Sequence, residues 1–249
     1  MFPRLKSLIS TRAHVFKMLL LALVILSAFA VRIWRIEYIP NATDGDEMAY
    51  IFAGQSLIEY GVPISWSSYE QEEYEWVLLK MNSAVVNEDM SFQLIKPWLD
   101  HSFFLPLLSG GWSEIGGQYF GAIPASHWYR IPMVFFAMGT LVLSFLIARH
   151  VFGFWPAIGT LVLLGFSPII IMIQRMVVSE NSIIFFMLLS LYLYLKKQPL
   201  LAVILASVLA SLVKPTGLAI VLIIGGDLLY TKQWRRFAIY TLSSVILFL

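Results

Sequence analysis

The chain has 249 residues, of which 59% are hydrophobic and only 13% are charged, and this composition excludes an ordinary soluble domain. Its mean hydropathy of +0.79 instead predicts an integral membrane protein. The net charge of +2 is too small to indicate a nucleic-acid partner, and the absence of cysteine excludes disulfides, thiolate metal sites and a cysteine nucleophile.

The N-terminal segment predicts a cytoplasmic tail followed by a retained membrane span. Residues 1–17 carry four basic side chains, and residues 18–34 are the first apolar run. Arg32 and Arg35 lie where a signal peptide would have a small-residue cleavage site, so removal of this segment is not expected.

Residues 131–249 predict six further transmembrane helices and give an all-α polytopic fold of about seven spans. Their approximate limits are 131–149, 155–173, 181–195, 199–213, 216–230 and 237–249. With seven spans, every second connection lies on the same side of the membrane as the N-terminus. Together with the N-terminal tail, these connections hold nearly all basic residues outside the long segment 35–130, and Asp227 is their only acid. The excess of positive charge predicts a cytoplasmic N-terminus and an extracytoplasmic loop over residues 35–130.

The loop begins with an acidic cluster in residues 41–61. Asp44 has N-cap spacing to Glu47, and a periodic apolar set runs to a stop at Gly61, which predicts a short interfacial helix with Asp46 and Glu47 in its first turn. Two interpretations stay open. The acids either complement the helix dipole or form a carboxylate pair that acts as a general base or a cation site.

The rest of the loop adds a second candidate segment. The acidic stretch 67–75 is interpreted as a solvated surface. Asp100 and His101 then precede an apolar run that is too short to span, which predicts an interfacial or re-entrant helix. Asp100 either caps this helix or belongs to a site. The tripeptide 41–43 fits a glycosylation acceptor on the outer face, a pattern that is frequent by chance.

Taken in order, these features resemble the GT-C fold glycosyltransferases, and most closely the protein O-mannosyltransferase and aminoarabinose transferase group. The matching residues are Asp46, Glu47, Ala49 and Tyr50, then Asp100, His101, Tyr129 and Arg130, and then 149–153, 166–168, Arg175, Ser179, Glu180 and 214–217. Two departures stand out. The group usually has a His-Pro-Pro motif where this chain has 100–103, and its members usually have more spans, so the likeness covers only their N-terminal module.

The resemblance implies a donor sugar on polyprenyl phosphate and a catalytic role for Asp46 as the base, with Glu47 holding the helix or sharing a cation. Positive charge is needed where negative charge develops on the leaving phosphate. Arg130, Arg175 and Lys214 are candidates for this, and Asp100 and His101 are further candidates for substrate binding.

Alternatives remain for each cation. Arg130 can anchor the interface, Arg175 and Lys214 can extend to the headgroups, and Arg175 can pair with Glu180. No metal-ligand motif is present in the sequence, and a divalent cation between Asp46 and Asp100 is neither required nor excluded.

We therefore expect a glycosyltransferase that moves a sugar from a lipid-linked donor to a protein, lipid or glycan acceptor at the outer membrane face. A non-catalytic accessory or scaffold subunit of a membrane complex is the alternative. A transporter is disfavoured because the charges lie at span ends or in the loop, and the sequence has no internal repeat.

Overall fold

The computed structural model describes residues 2–40, 45–67, 75–82, 89–100, 102–121 and 126–248. Within these ranges the chain forms ten α-helices, a short 3-10 turn and one β-hairpin. They are α1 Phe2–Ile33, α2 Gly45–Tyr60, β1 Glu75–Asn82, β2 Asp89–Lys96, α3 Phe104–Ile115, α4 Ser126–Phe152, α5 Phe154–Phe166, α6 Pro168–Arg175, α7 Ser179–Leu195, α8 Leu200–Val213, the 3-10 turn Pro215–Leu218, α9 Ala219–Tyr230 and α10 Trp234–Phe248.

Two helical segments are long and apolar enough to cross a membrane, Ala13–Ile33 in α1 and His127–Phe152 in α4. Helices α5 and α6 together form a third candidate, bent by 64° at the break between them. The bend arises because Ser167 is extended and Pro168 cannot continue the hydrogen bonding of α5. Two to three candidate spans therefore indicate a mainly helical, membrane-associated protein.

The helix ends form two groups, at opposite ends of the molecule. Where α1 finishes and α4 begins, the structure gathers Arg32, Arg130, Arg175, Glu180 and Lys214, and we name this the site end. At the opposite end Lys17 lies 5.3 Å from the ring centre of Phe154, and Lys196 Nζ lies 3.4 Å from His150 Nδ1. Because Lys17 of α1, Arg149 of α4 and Lys196, directly after α7, belong to this end, we name it the basic end.

Helices form at both positions between residues 35 and 130 where the sequence predicted short helices. Helix α2 carries Asp46 and Glu47 in its first turn and ends before Gly61, whose φ of +72° is accessible chiefly to glycine, and this confirms the prediction for this segment. Helix α3 follows Asp100, as the sequence predicted. The cap proposed at Asp44 lies outside the described residues.

The hairpin of β1 and β2 is a feature that the sequence analysis missed. The strands are antiparallel, with Glu75 opposite Lys96, and Ser65 extends the pairing through hydrogen bonds with Ile95. Leu94 and Ile95 are buried, and Ile95 packs in a cluster with residues of α2 and α3. Short apolar runs of this length do not distinguish a buried strand from a helix, which is why an all-helical loop was predicted.

Helices α2 and α3 cross at backbone contact. A Cβ atom on Gly54 would lie 1.9 Å from the carbonyl oxygen of Pro106, and one on Gly110 would lie 2.5 Å from the amide nitrogen of Gln55. Glycine is therefore required at both positions, because any side chain would force the two helices apart. This crossing fixes the orientation of α2, and with it the position of the acidic cluster.

Candidate functional site

Glu47 and Arg130 form a fully buried ion pair beneath the start of α2. Arg130 Nε donates to Glu47 Oε1 at 3.1 Å and Nη2 donates to Oε2 at 2.8 Å, with both side chains at most 1% exposed. The amide of Val177 donates to Oε1 at 2.8 Å, while Arg130 Nη1 donates to the carbonyls of Ile36 and Pro40 at 3.1 and 3.2 Å. One pair thus connects α2, α4, the chain after α1 and the link from α6 to α7.

Arg175 also binds the chain at the end of α1. Its Nη1 donates to the carbonyl of Ile39 at 3.3 Å, and its Nη2 donates to the carbonyls of Trp34, at 2.8 Å, and Val31. The final carbonyls of a helix have no partner within it and carry partial negative charge, so a cation there stabilises the helix end. Arg175 therefore contacts backbone oxygens and does not pair with Glu180.

Arg32 is a third buried arginine, and the sequence analysis used it only to argue against cleavage. Its Nε donates to Gln174 Oε1 at 2.8 Å, and its Nη1 donates to the carbonyls of Ala28 and Gly165 at 3.0 and 2.9 Å. The carbonyl of Gly165 is available because α5 ends at the next residue. An arginine at the last turn of an apolar span was the one sequence signal for this contact.

Asp46 differs from its neighbour Glu47 because its side chain is exposed. Tyr50 lies one turn further along and is 4% exposed. Burial raises the pKa of Tyr50 to about 12, and the charges of Asp46, Glu180 and Asp100 act in the same direction, whereas a hydrogen bond with Ser179 opposes them. These three carboxylates, from three separate segments, therefore surround one protonated phenol.

Lys214 completes this group. Its Nζ lies 2.8 Å from Glu180 Oε1, with the side chains 33% and 51% exposed. A cavity of about 410 Å³ lies beside the pair, lined in part by Asp100 and Lys214, and Ser102 Oγ donates to the carbonyl of Val213 at 2.8 Å to close one wall. Among the described residues, Asp100 Oδ1 is buried without a hydrogen-bond partner, so it is a polar atom that a bound molecule can satisfy.

The structure thus separates the predicted residues into two layers. The outer layer brings together Asp46, Asp100 and Lys214, and adds Tyr50, Ser179 and Glu180. The inner layer holds Glu47, Arg130 and Arg175, whose polar contacts are to other parts of this chain. His101 and the tripeptide 41–43 lie outside the described residues. Tyr50 had been named among the residues that match the glycosyltransferase group, but no role at the site had been predicted for it.

In the part of the chain that the structure describes, no group of three or more His, Asp or Glu side chains is close enough to hold a metal ion. Among the described ion pairs, the one that joins a cation to a carboxylate of the outer layer is that of the Lys214 ammonium group with Glu180.

Comparison of the chain with protein-family models, with curated proteins and with solved structures finds no match. Function is therefore inferred from the chemistry of the site and not from the fold.

Proposed function

We propose that this protein is an integral membrane glycosyltransferase of the GT-C kind, which transfers a sugar from a polyprenyl-phosphate donor to a protein, lipid or glycan acceptor at the outer membrane face. The observation that carries the proposal is the contrast between Asp46 and Glu47. Asp46 is exposed at the surface, where an acceptor can reach it, while its buried neighbour holds the helix in place through Arg130.

The proposal includes a membrane arrangement of about seven spans. They are α1, α4, the bent pair α5 and α6, α7, α8, Pro215–Tyr230 and α10. The basic end faces the cytoplasm in this arrangement, in keeping with the rule that cytoplasmic connections carry an excess of Lys and Arg.

Helix length supports a site that lies at the depth of a lipid headgroup. Helix α8 has 14 residues and α7 has 17, which at 1.5 Å per residue is less than the hydrocarbon thickness of roughly 30 Å. Short helices are accommodated by local thinning of the bilayer. Asp46 and Lys214 are therefore placed within reach of a phosphate carried on a membrane-embedded chain.

The outer layer supplies groups for each part of the transfer. The acceptor hydroxyl oxygen attacks the anomeric carbon, the bond from that carbon to the phosphate oxygen breaks, and the polyprenyl phosphate leaves with the electron pair. Asp46 accepts the hydroxyl proton as a general base. Lys214 offers positive charge to the departing phosphate, and Tyr50, which stays protonated at neutral pH, offers a hydrogen-bond donor.

The test uses membranes that contain the full chain, incubated with radiolabelled polyprenyl-phosphate sugars. We expect the wild type to release free polyprenyl phosphate and Asp46→Asn to lower the rate by about a hundredfold or more, the size expected for loss of a general base. Glu59→Gln is the matched control, because Glu59 is an exposed acid in the last turn of the same helix and glutamine retains the acceptor for the amide of Phe120. Equal rates for Asp46→Asn and wild type would contradict the proposal.

A non-catalytic accessory subunit is the second candidate, and the inner layer favours it. Glu47 and Arg130 bind each other and backbone groups of this chain, a structural role that needs no substrate. If the wild type and Asp46→Asn are folded and equally silent with every donor, the accessory function is favoured, and chemical cross-linking in membranes should capture a constant partner.

A further inference from the structure

A polar pocket lies at the basic end, far from the candidate active site. Its volume is about 390 Å³, and it is formed where the turn after α7 meets the turn between α9 and α10. The residues that matter here are Lys197, Gln198, Asp227, Gln233 and Arg236. We name it the basal pocket.

The charge of the basal pocket favours an anion. Lys197 and Arg236 contribute two cations against the single carboxylate of Asp227, and that carboxylate already accepts a hydrogen bond from Tyr194. Arg236 Nη1 donates to Gln233 Oε1 at 3.0 Å, which holds the guanidinium at the pocket wall. An oriented guanidinium and a nearby ammonium form a suitable pair of donors for a phosphate group.

The surface next to the pocket favours a lipid over a soluble phosphate compound. Tyr230 is 88% exposed and Trp234 is 64% exposed, and the two residues flank the turn that contains Gln233. Leu201, at the start of α8, is 64% exposed. Exposed aromatic rings next to basic side chains are typical of the boundary between headgroups and hydrocarbon, where acyl chains cover the apolar surface.

We propose that the basal pocket binds the headgroup phosphate of an anionic phospholipid through Lys197 and Arg236. The acyl chains would lie along the exposed surface of Leu201 and Trp234. The inference rests on the proposed membrane orientation and is independent of glycosyl transfer, so it can hold or fail without regard to the activity of Asp46.

Native mass spectrometry of the purified full chain tests it, with phosphatidylglycerol and phosphatidylcholine added at equal concentration. We expect preferential retention of phosphatidylglycerol, and a fall in its affinity of about fivefold in Lys197→Gln and in Arg236→Gln, since one basic group near a membrane surface contributes roughly 1 kcal/mol. Arg235→Gln is the matched control: it removes the same charge from the adjacent exposed residue, which does not line the pocket.

Asp227→Asn gives a second, opposite readout. Asparagine retains an acceptor for Tyr194 and removes the negative charge, so the affinity for phosphatidylglycerol should rise. An equal loss in Arg235→Gln and Arg236→Gln would overturn the proposal, because it would indicate diffuse surface attraction. Displacement of the lipid by millimolar inorganic phosphate would overturn it as well, since the pocket would then serve a soluble phosphate ligand.

Discussion

Two ion pairs at the site end show how burial separates structure from function. Glu47 with Arg130 and Glu180 with Lys214 each have a shortest contact of 2.8 Å. The first pair is at most 1% exposed, doubly bonded and supported by further contacts to the backbone, whereas the second is 33% and 51% exposed and has one short contact. The first pair is therefore fixed in the fold, while the second can exchange its partner for a ligand.

Breaking the buried pair should give the largest effect. Arg130→Met leaves the carboxylate of Glu47 buried without a cation, and we expect the free energy of unfolding to fall by about 3 to 5 kcal/mol. Thermal unfolding in detergent measures this, with Lys214→Met as the matched control, for which the loss should be about 1 kcal/mol or less. Equal losses in the two variants would show that burial does not distinguish the pairs.

The second largest effect should come from a substitution that disturbs the buried pair without changing any charge. Gly54→Ala places a methyl group against the carbonyl of Pro106 and pushes α2, with Glu47, away from α3. We expect a loss of about 1 to 3 kcal/mol, the usual size for overpacking. Gly226→Ala is the control, because a Cβ there has no atom within 4 Å and alanine favours a helix. A stable Gly54→Ala variant would contradict the tight crossing of α2 and α3.

The smallest expected effect concerns Glu114, a carboxylate for which the structure describes no ion pair. Burial raises the pKa of Glu114, and the charge of Glu59 adds to the shift. Because the pKa of Glu114 is raised in the folded state, the folded state binds this proton more tightly than the unfolded state does. The resulting contribution to the free energy of unfolding is fully present below the unfolded pKa of about 4.5 and is lost as the pH rises through the folded pKa.

Glu114→Gln should therefore raise the unfolding temperature slightly near neutral pH and leave it unchanged at about pH 4. Thermal unfolding at the two pH values checks this, and Glu75→Gln, at an exposed acid on β1, provides the reference. A gain that persisted at the lower pH would show that the carboxylate charge is not its cause.

The sequence predicted local features better than long-range ones. Helix α2, its acidic first turn and its end at Gly61 follow from capping and glycine signals, and α3 follows from the apolar run after Asp100. The burial of Glu47 could not be predicted in this way. It depends on Arg130, which is 83 positions away in the chain, and on the approach of α4 to the start of α2.

The number of spans shows a similar limit. Hydropathy locates the apolar segments, but in the described part of the chain only Ala13–Ile33 and His127–Phe152 are single helices of sufficient length. Pro168 divides one predicted span into α5 and α6, and the later helices lie close to the predicted limits but have only 12 to 17 residues each. Composition therefore predicted a membrane protein, whereas proline and the helix ends determine how each segment is built.

The packing of α1 determines which of its residues tolerate substitution. Over positions 13–33 only Val24, Ala28 and Arg32 are buried, and their spacing of four residues forms a single stripe on the helix. The exposed positions of α1 lie outside the cluster to which Val24 and Ala28 belong, whereas three half-buried side chains pack against that cluster, those of Leu20, Leu21 and Ile25. Helix α1 should thus tolerate apolar substitution on its exposed side and be most constrained at the three buried positions, one of which is a charge.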